Sequence, residues 1–161
     1  MAVSNVSFAS QVEEWVRDTE KRMIAVFRTS ASMVIAEMQL TNKQGGLNRI
    51  DLGTHLASLQ VGINTPPQKA IKKAKDTTDR SFNMGAVDAI IAGAEIGDTI
   101  VASYGMAYSL RLEYGFEGTD SLGRSYHQPP YAFVRTAAQR WPQIVEKATE
   151  MAKARSAARN G

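Results

Sequence analysis

The sequence predicts an α+β fold in which a long N-terminal helix and a C-terminal helix pack on one side of a small antiparallel sheet. Apolar residues recur close to every 3.6 positions from Val12 to Met38, and a second stripe of the same period runs from Phe133 to Met151. Between them lie two runs with strand character, Leu56–Ile63 and Thr99–Tyr104. Helices grouped on one face of a small antiparallel sheet form a two-layer arrangement that such segments can fill. The 161 residues are read as one domain, 1–161, which at this length can bury roughly 70% of the surface its unfolded chain exposes.

The first helix is expected to open at a capping box, Ser10-Gln-Val-Glu13, with the Ser10 hydroxyl accepting from the Glu13 amide. Its stripe is Val12, Trp15, Val16, Met23, Val26, Phe27, Met33, Val34 and Met38, and most of the charges from Glu13 to Arg22 fall off it. The pattern predicts a helix of about 30 residues, roughly 45 Å long, stopping near Thr41–Gly46, where Gly45 and Gly46 supply cap and loop conformations. A small domain can hardly cover both ends of so long an element. Either part of the stripe docks on a neighbouring subunit, or the helix kinks and packs wholly in its own core.

A turn at Asp51-Leu-Gly53 then leads into a strand from Leu56 to Ile63, where side chains alternate, and Pro66 and Pro67 end it because proline cannot donate to a ladder. The polar, lysine-rich stretch from Pro67 to Phe82 reads as a partly ordered connection. Phe82–Ala94 reads as a short helix, with Val87, Ile90 and Ile91 on one face. Gly97-Asp98 turns into the β-branched strand Thr99–Tyr104. Ala107–Tyr114 reads as a helix on the propensities of Ala, Leu, Arg and Glu, closed by Gly115. Phe116–Tyr126 reads as an exposed loop stiffened at its exit by Pro129 and Pro130. Tyr131–Ala157 is the last helix, kinked by Pro142, and the Ala-rich basic tail 153–161 is expected to fray.

Composition narrows the function classes. Cysteine is absent, which removes a disulfide scaffold and thiol chemistry. The start has no basic and apolar leader pattern, and the best apolar run, Ala86–Ala94, is half the length of a membrane span and contains Asp88, so no membrane association is expected. The two histidines, His55 and His127, show no HxxxH or ExxH spacing, so no metal is expected. Phosphate-cradling Gly-rich loops and the G-x-S-x-G elbow are also missing, and no catalytic residue, cofactor or enzymatic activity is assigned. The net charge of +3 and the mixed basic stretches Lys69–Arg80 and Arg135–Gly161 leave a nucleic-acid-binding module as a minor alternative.

The informative stretch is Tyr104–Arg135. Its tyrosines at positions 104, 108, 114, 126 and 131 suit core packing with anchored hydroxyls, and also suit protein contact. Glu113, between Leu112 and Tyr114, is either an interfacial or loop-anchoring acid or an ordinary salt-bridged helix residue. The candidate interface residues are Tyr104, Tyr108, Leu112, Glu113, Tyr114, Gly115, Phe116, Pro129, Pro130, Phe133 and Arg135.

Three pieces occur in a fixed order: Ile50-Asp-Leu-Gly-Thr-His-Leu-Ala-Ser-Leu59; Gly97-Asp-Thr-Ile followed by Ala107-Tyr-x-x-x-Leu-Glu-Tyr-Gly115; and Pro129-Pro-Tyr-Ala-Phe-Val-Arg135 leading to Ala137, Ala138 and Trp141. Together they resemble the tail-completion or neck proteins of long-tailed phages, the family that includes lambda's minor tail protein Z. In the first piece Leu52 and His55 depart from the family pattern, and the loop after Gly115 is long. The resemblance implies a non-enzymatic virion part at the head-tail junction, made in the host cytoplasm. It would form a ring with other copies of itself. Its partners would be a head-side connector or head-closure protein and a tail-tube or tail-terminator protein, with incidental contact to passing DNA. A tail terminator capping the tube is the alternative within the same class.

Overall fold

The computed structural model describes residues 7–49, 53–67 and 81–160. The fold is mixed helix and sheet, with a long N-terminal helix, two small antiparallel sheets and a C-terminal helix packed on the first. The expected antiparallel sheet is the β-pair of residues 59–63 and 100–104, and a second two-stranded sheet forms in a stretch read as loop.

Helix α1 spans Phe8–Gln39, 32 residues. Its N-cap lies three residues before the predicted one. Ser7 is the N-cap and its hydroxyl accepts from the Ser10 amide at 3.3 Å, so Ser10 lies inside the first turn. It ends at Gln39, with Leu40 extended. Gly45 is not its cap: with φ +84 it closes a separate 3₁₀ turn, Asn42–Gln44. The loop that follows folds around Asn48, whose backbone bonds to Leu40 and Asn42.

The strand expected from Leu56 begins later. Helix α2, Thr54–Ala57, is a single turn entered through Gly53 at φ +85, and β1 is Leu59–Ile63. The alternation of Leu56 and Ala57 continued the strand pattern in sequence, but a left-handed glycine just before them starts a helical turn instead. Asp51 and Leu52 of the expected turn, and the lysine-rich stretch 68–80, lie outside the described residues. Helix α3, Met84–Ile91, is capped by Asn83, and β2, Ile100–Tyr104, pairs antiparallel with β1 from Leu59↔Tyr104 to Ile63↔Ile100.

Helix α4 spans Ser109–Tyr114. The expected loop after it is a β-hairpin, with β3, Phe116–Thr119, paired to β4, Ser125–Gln128. Asp120 makes this possible. Its carboxylate accepts from the amides of Leu122 and Arg124, the Arg124 side chain and the Tyr126 hydroxyl, which organises the turn. The last predicted helix is two: α5, Phe133–Gln139, and α6, Trp141–Asn160. The break at Arg140 precedes Pro142, where the missing amide and the ring's clash with the preceding turn forbid a continuous helix.

The core lies where the second half of α1 meets the β1–β2 sheet, α3 and α5. Ile35, Met38, Leu59, Val61, Val87, Ile91 and Ala137 fill it. Ile35 is 2% exposed, and a fully buried side chain of this size contributes about 2–3 kcal/mol. Polar ties sit at the edge of the core: Arg28 donates to the Ala94 carbonyl and to Glu95, Ser32 to Asp88, and Arg140 to Glu37. Helix α6 returns along α1, burying Ile144 and Ala148. Among the described residues nothing covers the first turns of α1 in this way: every side chain from Phe8 to Arg17 is exposed.

Candidate interaction site

The three sequence pieces singled out above meet at one place. His55 on α2 stacks on Tyr104 of β2, with ring centroids 4.3 Å apart and planes 8° from parallel. The Phe133 ring stands edge-on to both, at 5.3 Å from His55 and 5.4 Å from Tyr104. Tyr108 adds a tilted contact to His55, and its hydroxyl bonds to Thr54 Oγ1 at 3.0 Å. Asn48, fully buried, ties this cluster to α1: its Nδ2 donates to the Met38 carbonyl at 3.0 Å while its Oδ1 faces His55 Nδ1 at 3.2 Å. Since the Asn48 oxygen can only accept, Nδ1 of His55 is the protonated nitrogen. Burial pushes the His55 pKa down to about 4, so the ring is neutral near pH 7. Burial likewise pushes the Tyr104 hydroxyl above its ordinary range, so it stays protonated and donates to Met38.

Glu113 is the second anchor, and it is buried. Its Oε2 accepts from the Val134 amide at 2.9 Å and its Oε1 from the Arg135 amide at 3.2 Å. These are first-turn amides of α5. The residue before that helix, Ala132, sits at φ +54 and has no side chain able to cap it. A carboxylate from α4 therefore does the capping, where the exposed amides and the helix dipole favour negative charge. The Arg135 guanidinium returns to the Glu113 carbonyl at 3.0 Å, and the backbones of Tyr131 and Ala132 donate to Leu112 and Glu113. Gly115, at φ +82, lets the chain pass under this strap: a Cβ there would lie 2.7 Å from the Gln128 carbonyl.

The predicted site residues thus divide. Tyr104, Tyr108, Glu113 and Phe133 point inward and hold the lock, and Gly115 provides its turn. Among the two readings of Glu113, the loop-anchoring one describes its geometry. Tyr114, at 63% exposed, Pro129 and Pro130 face outward, while Leu112 and Phe116 are half-buried. Arg135 lies over the Tyr114 ring at 5.1 Å, and Arg111 over Phe116 at 4.1 Å. These cation–π contacts hold the outer aromatic rings in fixed orientations. Two exposed residues missed by sequence reasoning belong with them. Leu110 is 71% exposed on α4, and Leu122, at 74%, tops the hairpin. For Leu122 the available signal was an apolar residue in a polar turn. Asn48 was missed too; its role depends on partners distant in sequence, which no spacing reveals.

Rigid inner packing beneath exposed aromatic and aliphatic groups is suited to protein contact. Among the described residues no three His, Cys, Asp or Glu side chains group as metal ligands, and no helix is long and apolar enough to cross a membrane. Comparisons with protein-family models, with curated proteins and with solved structures gave no match.

Proposed function

We propose that this chain is a structural virion protein of a tailed phage, acting at the head-tail junction as a neck or tail-completion subunit. It assembles into a ring of its own copies and joins a head-side connector to the tail tube by protein contacts. It carries out no reaction. The observation that supports this reading best is the meeting of the three resemblance-bearing pieces in one lock. His55 of the first, Tyr108 and Glu113 of the second, and Phe133 and Val134 of the third touch one another directly. Residues that resemble a family in three separate places therefore serve one purpose, which is to hold Tyr114, Pro129, Pro130 and Arg135 rigidly at the surface.

The test is deletion of the gene from a phage that carries it, followed by electron microscopy of the particles. Filled heads and normal-length tails that fail to join are expected. Normal joining refutes the reading, and overlong tails assign the terminator role instead. Weak, salt-sensitive DNA retention by the purified chain is compatible with DNA passing through a ring; sequence-selective binding that survives high salt is not.

A further inference from the structure

The first half of α1 bears an apolar stripe that the described residues of its own fold leave exposed. Phe8 is 82% exposed, Val12 42%, Trp15 65%, Val16 41% and Met23 54%. At 100° per residue these five fall within about 100° of one another on the helix surface. Together they expose about 500 Å² of apolar side chain, near the upper limit of what a monomer normally leaves in one patch. With its charged borders such a stripe approaches the ~800 Å² that one side of a stable interface buries.

Charge selects the occupant. Residues Phe8–Val16 hold two acids, Glu13 and Glu14, and no base. On the same helical projection Glu13 and Glu20 border one edge of the stripe, and Arg22, Asp18 and Glu14 the other. Two copies pairing antiparallel through the stripe would set the Glu13/Glu20 border of one against the same border of the other, which is repulsive. The complementary surface exists elsewhere on the chain. Along α6, Lys147, Met151 and Arg155 recur every four residues, all exposed, and Lys147–Arg155 holds three bases against one acid. Met151 thus gives an adaptable apolar centre between two cations.

We infer that the N-terminal half of α1 docks on the Lys147–Met151–Arg155 face of α6 in a second copy, head to tail. Helix α6 already packs along α1 within one chain, beside a crevice lined by Asp18, Arg22 and Thr29 from α1 and by Ala152 and Ser156 from α6. The docked helix adds a third member to that layer. A contact between unlike surfaces repeats from copy to copy and closes into a ring when the rotation allows. This rests on the ring-forming part of the proposed function and supplies the contact for it.

The experiment measures the mass of the purified full chain by analytical ultracentrifugation across the micromolar range. One variant carries Glu13→Lys and Glu14→Lys; a second carries Lys147→Glu and Arg155→Glu. The wild type is expected to self-associate, and each variant alone to do so about tenfold or more weakly. An equimolar mixture of the two recovers association, because each α1–α6 contact between unlike variants again joins opposite charges. Arg155 also borders the chain's own crevice, so Lys147→Glu alone is added; it weakens association in the same direction while circular dichroism stays unchanged. A wild type monomeric throughout overturns the inference, as does a second variant that associates normally or a mixture that stays dissociated. A monomeric chain that still proves necessary for head-tail joining removes this contact and leaves the neck reading standing.

Discussion

Glu113→Gln isolates the capping function on which the lock depends. In the wild type one buried carboxylate receives two backbone amides of α5 and lies beside the Arg135 guanidinium. Glutamine keeps one accepting oxygen and turns an NH₂ group toward the other amide, so a donor meets a donor. A charge-assisted bond contributes about 1.5–3 kcal/mol, and a cap with its favourable dipole about 0.5–2 kcal/mol. The two overlap because they act on the same helix end, so the substitution is expected to cost about 2–4 kcal/mol of a stability that lies at about 5–15 kcal/mol. At this chain length that lowers the melting temperature by about 5–15 °C. Arg135→Gln is the comparison. Its side chain is 44% exposed and its ion pair is solvent-screened, so it should cost less than about 1 kcal/mol. Urea denaturation followed by circular dichroism reads both. A Glu113→Gln protein within about 0.5 kcal/mol of wild type would show that the carboxylate is not the cap. Equal losses at both positions would show that the ion pair, not the helix end, dominates.

The lock has a pH signature. His55 titrates at about 4 when folded against 6.5 when exposed, so between those values the unfolded chain binds the extra proton. Stability should therefore be complete above pH 6.5 and fall by up to about 3 kcal/mol as the pH drops toward 4. Urea titrations at stepped pH should show this slope in the wild type and lose it in His55→Gln; equal slopes would exclude His55 as the source. Gly115→Ala places a methyl group against the Gln128 carbonyl at a positive φ, and should cost more than about 2 kcal/mol in the same denaturation assay. Asp120→Ala removes the acceptor of four bonds in the β3–β4 turn. Because β3 and β4 pair with each other and, among the described residues, with no other strand, hydrogen exchange should quicken across 116–128 while the global melting temperature barely moves. Loss of global stability would mean that the hairpin supports the core.

Much of the outline was legible because it depends on neighbours in sequence. The 3.6-residue period of Val12–Met38 requires only that side chains four apart share a face, and α1 matches it in length. Pro142 interrupts the last helix by its own chemistry, wherever that helix packs. β1 ends at Ile63, where Asn64 turns the chain at φ +59 ahead of Pro66 and Pro67. The misreadings fall where local preference is weak. Leu56–Ala57 fits a strand or a turn of helix equally well, and Phe116–Tyr126 carries too many short polar residues to read as strands until Asp120 gathers its turn.

Within the candidate site the residue types were visible, and their direction was not. Tyr104 and Tyr114 look alike in sequence, yet one is stacked on His55 with Phe133 edge-on to it, and the other stands in solvent beside Arg135. Glu113 was conspicuous between two apolar neighbours, but its partners lie 21 and 22 residues further on.

The sequence alone therefore determined the helical segments at the two ends, the two strand-forming runs between them and the proline that interrupts the last helix, since backbone sterics and side-chain period act over a few residues. Tertiary structure alone decided which polar groups are buried together, which acid caps which helix, and which half of α1 is covered. Those outcomes follow from desolvation and packing between segments that meet only when the chain folds.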